Sequence, residues 1–222
     1  MNSAVIQLLV LAGIAIFLIL RLRSVLGTRE GFEKPPSNIS GPADTNINAR
    51  RDFEVIEGGV DRDITDHVED GSDSAKALAA MKLTDPSFVV SDFLHGARGA
   101  YEMILMAFES GELDEVKPFL GEDVFQTFVD VVAAREDQGL SVEANFVGIR
   151  EIALHEATFD RATNTGEISV KFVGELTSVV RNTEGEIIEG DPNEIKRQRD
   201  VWTFARQMTG EDPNWALVAT GE

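Results

Sequence analysis

Three histidines, no cysteine and a large surplus of carboxylates bound the chemistry open to this chain of 222 residues. His67, His95 and His155 lie far apart with no H-x-x-x-H spacing, and the absence of Cys removes thiolate zinc sites, disulfides and thiol nucleophiles. With 39 acidic side chains, no single pair of carboxylates stands out as an acid/base couple. Glu112, Asp114 and Glu115 fit a helix N-terminus, where the backbone dipole favours negative charge, better than a metal. Phosphate-loop and nucleophile-elbow patterns are missing. The chain therefore reads as a non-enzyme, with no catalytic residue, no metal ligand and no cofactor. A net charge of −19 also argues against nucleic acid, whose phosphates are neutralised by dense Lys and Arg.

What remains is binding chemistry, and five residues are its candidates. In Lys196-Arg197-Gln198-Arg199, the one basic cluster of the acidic half, strand alternation places Arg197 and Arg199 on one face, where they could meet a phosphate or an acidic partner. Pairing with nearby carboxylates competes with that use. Phe93 and Tyr101 recur at helical spacing, and Trp202 falls on a strand; such aromatics either pack a core or line a hollow.

The elements that position these residues follow from periodicity. Asp85-Pro86 suits a helix start, and Phe93, Ala97, Tyr101, Ile104 or Leu105, and Phe108 form one apolar stripe that ends at Gly111. Gly96 and Gly99 within it suggest a close approach of helix to sheet. A short helix is expected over 112–120 and a longer one over 122–138, stopped by Gly139. Beyond Gly139 the period becomes two. A strand bent near Gly148, a second through Ile168 to Val180, a turn at Asn182-Thr183-Glu184-Gly185, and strands over 195–207 and 215–220 follow. Helices first and antiparallel strands second give an α+β domain in which helices cover one face of a curved sheet.

The N-terminal part differs in kind. Met1 to Leu20 holds no charged residue, approaching the ~20 apolar residues that a bilayer core requires, and Arg21, Arg23 and Arg29 flank its C-terminal side. Residues 1–28 are expected to be a transmembrane anchor with a basic collar, and 29–85 an acidic, flexible linker in which Ser74 to Leu83 could form a brief helix. Residues 86–222, with 11 basic and 26 acidic side chains, form the folded domain. The positive-inside bias leaves the N-terminus periplasmic and the C-terminal domain cytoplasmic in a bacterial inner membrane, single-pass.

Phe93-Leu94-His95-Gly96-Ala97-Arg98-Gly99-Ala100-Tyr101-Glu102-Met103-Ile104, followed by Gly111-Glu112-Leu113 and later by Asp200-Val201-Trp202-Thr203-Phe204 and Asp212-Pro213-Asn214-Trp215-Ala216-Leu217, resembles the Tim-44-like domain family. With the anchor, the pattern is similar to the bacterial TimA-type membrane-anchored adaptor proteins. The resemblance implies a cone-shaped nuclear-transport-factor/cystatin-like fold and an adaptor that recruits a protein partner, of the chaperone or translocation class, in protein transport or envelope assembly. It brings phospholipid in the hollow as an alternative ligand, which the acid surplus disfavours at an anionic leaflet. The same architecture elsewhere houses isomerases and dehydratases, for which His95 or His155 would have to face the hollow.

Overall fold

A computed structural model describes residues 61–221. The anchor and collar expected over 1–28, and the expected linker up to residue 60, lie outside that range. Among the described residues no helix is long and apolar enough to cross a membrane.

Folding begins well before Pro86. Helix α1, Arg62–Thr65, is followed by α2, Asp73–Thr84, whose N-cap Ser72 accepts from the Ala75 N–H at 3.1 Å. Leu78 and Met81 of α2 are fully buried, and Ser74 Oγ accepts from the Ala157 N–H of the first strand at 3.1 Å. Residues 61–85, read from sequence as linker, thus belong to the folded domain, with Ile64, Ala75, Leu78 and Met81 in its core, and burying Leu78 and Met81 contributes about 1.5–3 kcal/mol each.

Helix α3, Val90–Ser110, carries the expected stripe: Val90, Phe93, Ala97, Tyr101, Ile104 and Leu105 are buried, and Gly111 ends it in the left-handed region at φ 83°. Its start departs from the sequence reading. Asp85 closes α2 and turns back on Ser87, while the orphan N–H groups of Val90 and Ser91 donate to Asp63, at 2.7 and 3.0 Å. A carboxylate 27 residues upstream thereby caps α3, and Lys82 pairs with the same group at 2.7 Å. Partial burial works against its charge, but the hydrogen bonds from Lys82, Ser91 and Val90 hold the Asp63 carboxyl well below the usual range. The 112–120 stretch contains only a short 3-10 turn at Lys117–Phe119, and α4, Glu122–Asp137, follows as expected.

The sheet consists of β1 Ser141–Asp160, β2 Thr165–Arg181, β3 Ile187–Gly190, β4 Lys196–Gln207 and β5 Ala216–Gly221. All pairings are antiparallel in the order β1-β2-β4-β5, and β3 joins β2 beyond the end of β4. Three register shifts in β1, the first between Phe146 and Gly148, supply the predicted bend. Even-numbered residues of β2 and β4, among them Ile168, Val170, Phe172, Trp202 and Phe204, form the buried face. On the other side of α3, Phe108 meets Phe128 of α4 at 4.5 Å, and Arg135 donates to the Phe108 carbonyl at 3.1 Å.

Replacement of Asp63 by Ala is expected to lower stability by about 1–2 kcal/mol through loss of the cap, with Asp63→Asn milder. Because the folded carboxyl is the stronger acid, its contribution is complete above the ordinary carboxylate range and is lost as pH falls through the lower folded value. The gap between wild type and Asp63→Asn in urea melts should therefore narrow as pH is lowered from 7 to 2.

Candidate docking groove and aromatic core

The five sequence candidates do not converge. Tyr101 and Trp202 belong to the core. The Tyr101 ring lies flat on Phe172, with centroids 4.4 Å apart and planes 12° from parallel, and meets Trp202 at 4.7 Å. Gly174 makes this possible, since a Cβ there would stand 2.7 Å from the Tyr101 hydroxyl. That hydroxyl donates to Asp200 Oδ2 at 2.6 Å, and Gln198 donates to Asp200 Oδ1 at 3.1 Å. Burial first, and then the carboxylate it serves, push the phenol far above its ordinary value. Tyr101 is a neutral structural donor.

Arg197 and Arg199 share a face, as alternation requires, but it is the face away from the helices. Both are exposed, and Arg197 reaches Glu175 at 3.1 Å in an open ion pair that contributes little.

Of the five, Phe93 lines a groove beside α3. This groove, of about 450 Å3, runs along the N-terminal half of α3 toward the end of β4 and the loop before β5. Its floor is aromatic: Trp215 lies 4.7 Å from Phe93 and 5.7 Å from Phe88, and Phe204 lies 6.0 Å from Phe93. Gly96 and Gly99 form part of its wall, and a Cβ built on either meets nothing within 4 Å. They therefore do not serve close helix-to-sheet approach, as their mid-helix position suggested. They leave the groove open.

Arg206 stands at one end and was not singled out by sequence. The signal was parity: Trp202, Phe204 and Arg206 share the inward face of β4, so a guanidinium had to emerge beneath an apolar layer. It is held there on all but one side. Asp85 accepts from Nη2, the Pro213 carbonyl accepts from Nη1 at 3.3 Å, and the group lies over Trp215 at 5.4 Å. Nε is buried with no partner among the described residues. The Ser87 hydroxyl first, and the Arg206 pairing after it, hold the Asp85 carboxyl below its usual range.

In chemical terms the groove offers aromatic and methylene surface with one paired cation, Arg206, and the exposed carboxylate of Asp92 at its wall, a lining suited to apolar side chains. His95 and His155 are exposed, and neither lines it, so the two imidazoles that an enzyme reading required lie outside. Among the described residues no group of three His, Asp or Glu is placed to hold a metal.

Gly96→Ala and Gly99→Ala should each raise stability by about 0.5–1 kcal/mol, because helix propensity improves into open space; thermal melts check this. Gly174→Ala should be strongly destabilising, and Tyr101→Phe should cost about 1–2 kcal/mol by leaving Asp200 short of a donor. Since the folded phenol is the weaker acid, its contribution is complete below the ordinary value of 10.0 and is lost as pH rises toward the folded value, a limb that Tyr101→Phe should lack.

Residues 74–222 match the Tim44-like domain. The mitochondrial import inner membrane translocase subunits TIM44 of Rattus norvegicus and Homo sapiens are each 26% identical over 168 residues, covering 71% of this chain and 36% of theirs. Subunit TIM44-1 of Arabidopsis thaliana is 24% identical over 152 residues, covering 66% of this chain and 32% of its own length. The chain thus spans about a third of the length of these relatives. The intermembrane space region of the chloroplast protein ARC6 aligns over 58% of this chain and 94% of its own, at 10% identity and a TM-score of 0.38. The matched span begins at the start of α2 and takes in α3, the groove and the whole sheet; the chain belongs to the Tim44-like domain family.

Proposed function

We propose that this protein is a membrane-anchored adaptor that holds a protein partner at the inner membrane, the partner's apolar side chains entering the groove beside α3. The observation that carries this reading is the groove itself, with its aromatic floor and glycine-opened wall. Membership of a family whose relatives are named as subunits of an import translocase supports the adaptor role. In this reading residues 1–28 are a single-pass anchor of the TimA type, and the chain between it and Asp61 is a tether. A tether of that length holds the domain within a few tens of ångströms of the bilayer, where a second binding event gains roughly millimolar effective concentration. The acid surplus keeps the domain off anionic lipid, leaving the groove to the partner. The basic collar orients the domain to the cytoplasm.

The test is photocrosslinking in intact membranes from Met103, a groove residue that is 39% exposed. The full chain should capture a reproducible protein. Gly99→Trp, which fills the groove without disturbing the core, should lower that yield at least about tenfold while the melting temperature is held. Equal capture by Gly99→Trp, or loss of capture only on removal of Arg197 and Arg199, would place the partner elsewhere.

A further inference from the structure

The sheet has an open edge whose charge changes sign along its length. β3 pairs with β2 alone, and β4 meets β5 only from Val201 to Ala205. Among the described residues, the outer edges of Ile187–Gly190 and of Lys196–Asp200 therefore have no strand beside them. The two lie end to end along the same side of β2, since β1 occupies the other. Ile187, Ile188 and Ile195 are exposed along this edge, at 42%, 54% and 55%. Pro192 falls in the turn between the two segments, so neither segment lacks a backbone donor.

Natural edges of this kind are blunted by charge or are paired. Charge of one sign would blunt this one, but the signs reverse. Glu184, Glu186, Glu189, Asp191 and Glu194 fall within a stretch that holds no base from Asn182 to Ile195, and Lys196, Arg197 and Arg199 follow at once. Lys196 and Arg199 make no ion pair among the described residues, and that of Arg197 with Glu175 is exposed. A basic peptide laid along the edge would be attracted by the β3 half and repelled by the β4 half, and an acidic peptide would meet the opposite difficulty. The same edge running antiparallel satisfies both halves with residues this chain already carries. A two-fold axis near the Asp191–Glu194 turn sets each copy's basic β4 start against the other's acidic β3, with the isoleucines close by and the free backbone edge of each β4 start facing the free edge of the partner copy's β3.

We propose that the β3/β4 edge is a homodimer interface, occupied by a second copy of this chain in antiparallel, isologous pairing. The face is distinct from the groove, so a dimer would present two grooves and carry two anchors.

The chain's lack of cysteine makes the test direct. In membranes containing the full chain, Glu194→Cys, beside the axis, should form a self-disulfide under mild oxidation. His155→Cys, exposed on β1, should not. Adding Arg199→Glu to Glu194→Cys should lower the disulfide yield about tenfold, and adding Glu189→Arg to that pair should restore it, as reversal on both sides of a symmetric contact requires. Crosslinking of Glu194→Cys no greater than that of His155→Cys, no effect of Arg199→Glu, or no restoration by the double reversal would each overturn the proposal.

Discussion

The contact on which the rest of the domain depends is the stack of Tyr101 on Phe172. Gly174 removes the side chain that would hold the helix off, the ring settles flat at 4.4 Å, and the hydroxyl finds Asp200 on the neighbouring strand. One residue thereby ties α3 to β2 by dispersion and to β4 by a charge-assisted hydrogen bond in a water-poor setting. With α3 pinned at its middle, its rotation is set, and so is the direction in which every other residue of the helix points. Ile104 and Leu105 turn toward the core one turn on, while Phe93 is carried to the far end, where the helix face meets β4 and Trp215.

The groove is a consequence of that geometry rather than a gap in packing. At the centre of the sheet, Tyr101, Trp202 and Phe172 fill the space between helix and strands. Toward the N-terminus of α3 the wall residues shrink to Gly96, Ala97, Gly99 and Ala100, and the aromatic floor stays in place. The loop from α2 to α3 is fastened to this end by Asp85 and Arg206, and the α3 terminus by Asp63, so the groove's rim is anchored by charge on two sides. The small residues of the groove wall and the residues that pin the helix are thus largely separate, although Phe93 is both groove floor and core. That separation lets the groove be blocked without unfolding the domain.

Much of this was legible in the sequence because the periods are clean. The 3.6-residue stripe from Phe93 to Leu105 and the alternation of Ile168, Val170 and Phe172 each survive into buried faces, and the turn residues at Asn182–Gly185 and Gly139 fall where the chain turns. The start of the domain was hidden because α2 is Ala-rich and offers only Leu78 and Met81 at fully buried positions, a stripe too thin to separate from a polar linker. The start of α3 was misplaced because Asp85-Pro86 is a good local cap signal, and a distant carboxylate, Asp63, outcompeted it through a tertiary contact with no local trace. Among the candidate site residues, strand parity correctly joined Arg197 to Arg199. It could not say that their face was opposite to that of Trp202 in use as well as in direction, nor that Tyr101 and Trp202 would be consumed by the core.

The claim at the centre of this picture is that partners engage the domain through the groove. It is tested most directly by hydrogen exchange of the full chain in its own membranes, compared with the same chain purified away from its partners. Slower exchange in the membrane sample is expected at residues 87–103 and 213–215, which surround the groove. Unchanged exchange there, or protection confined to the outward face around Arg197 and Arg199, would contradict it.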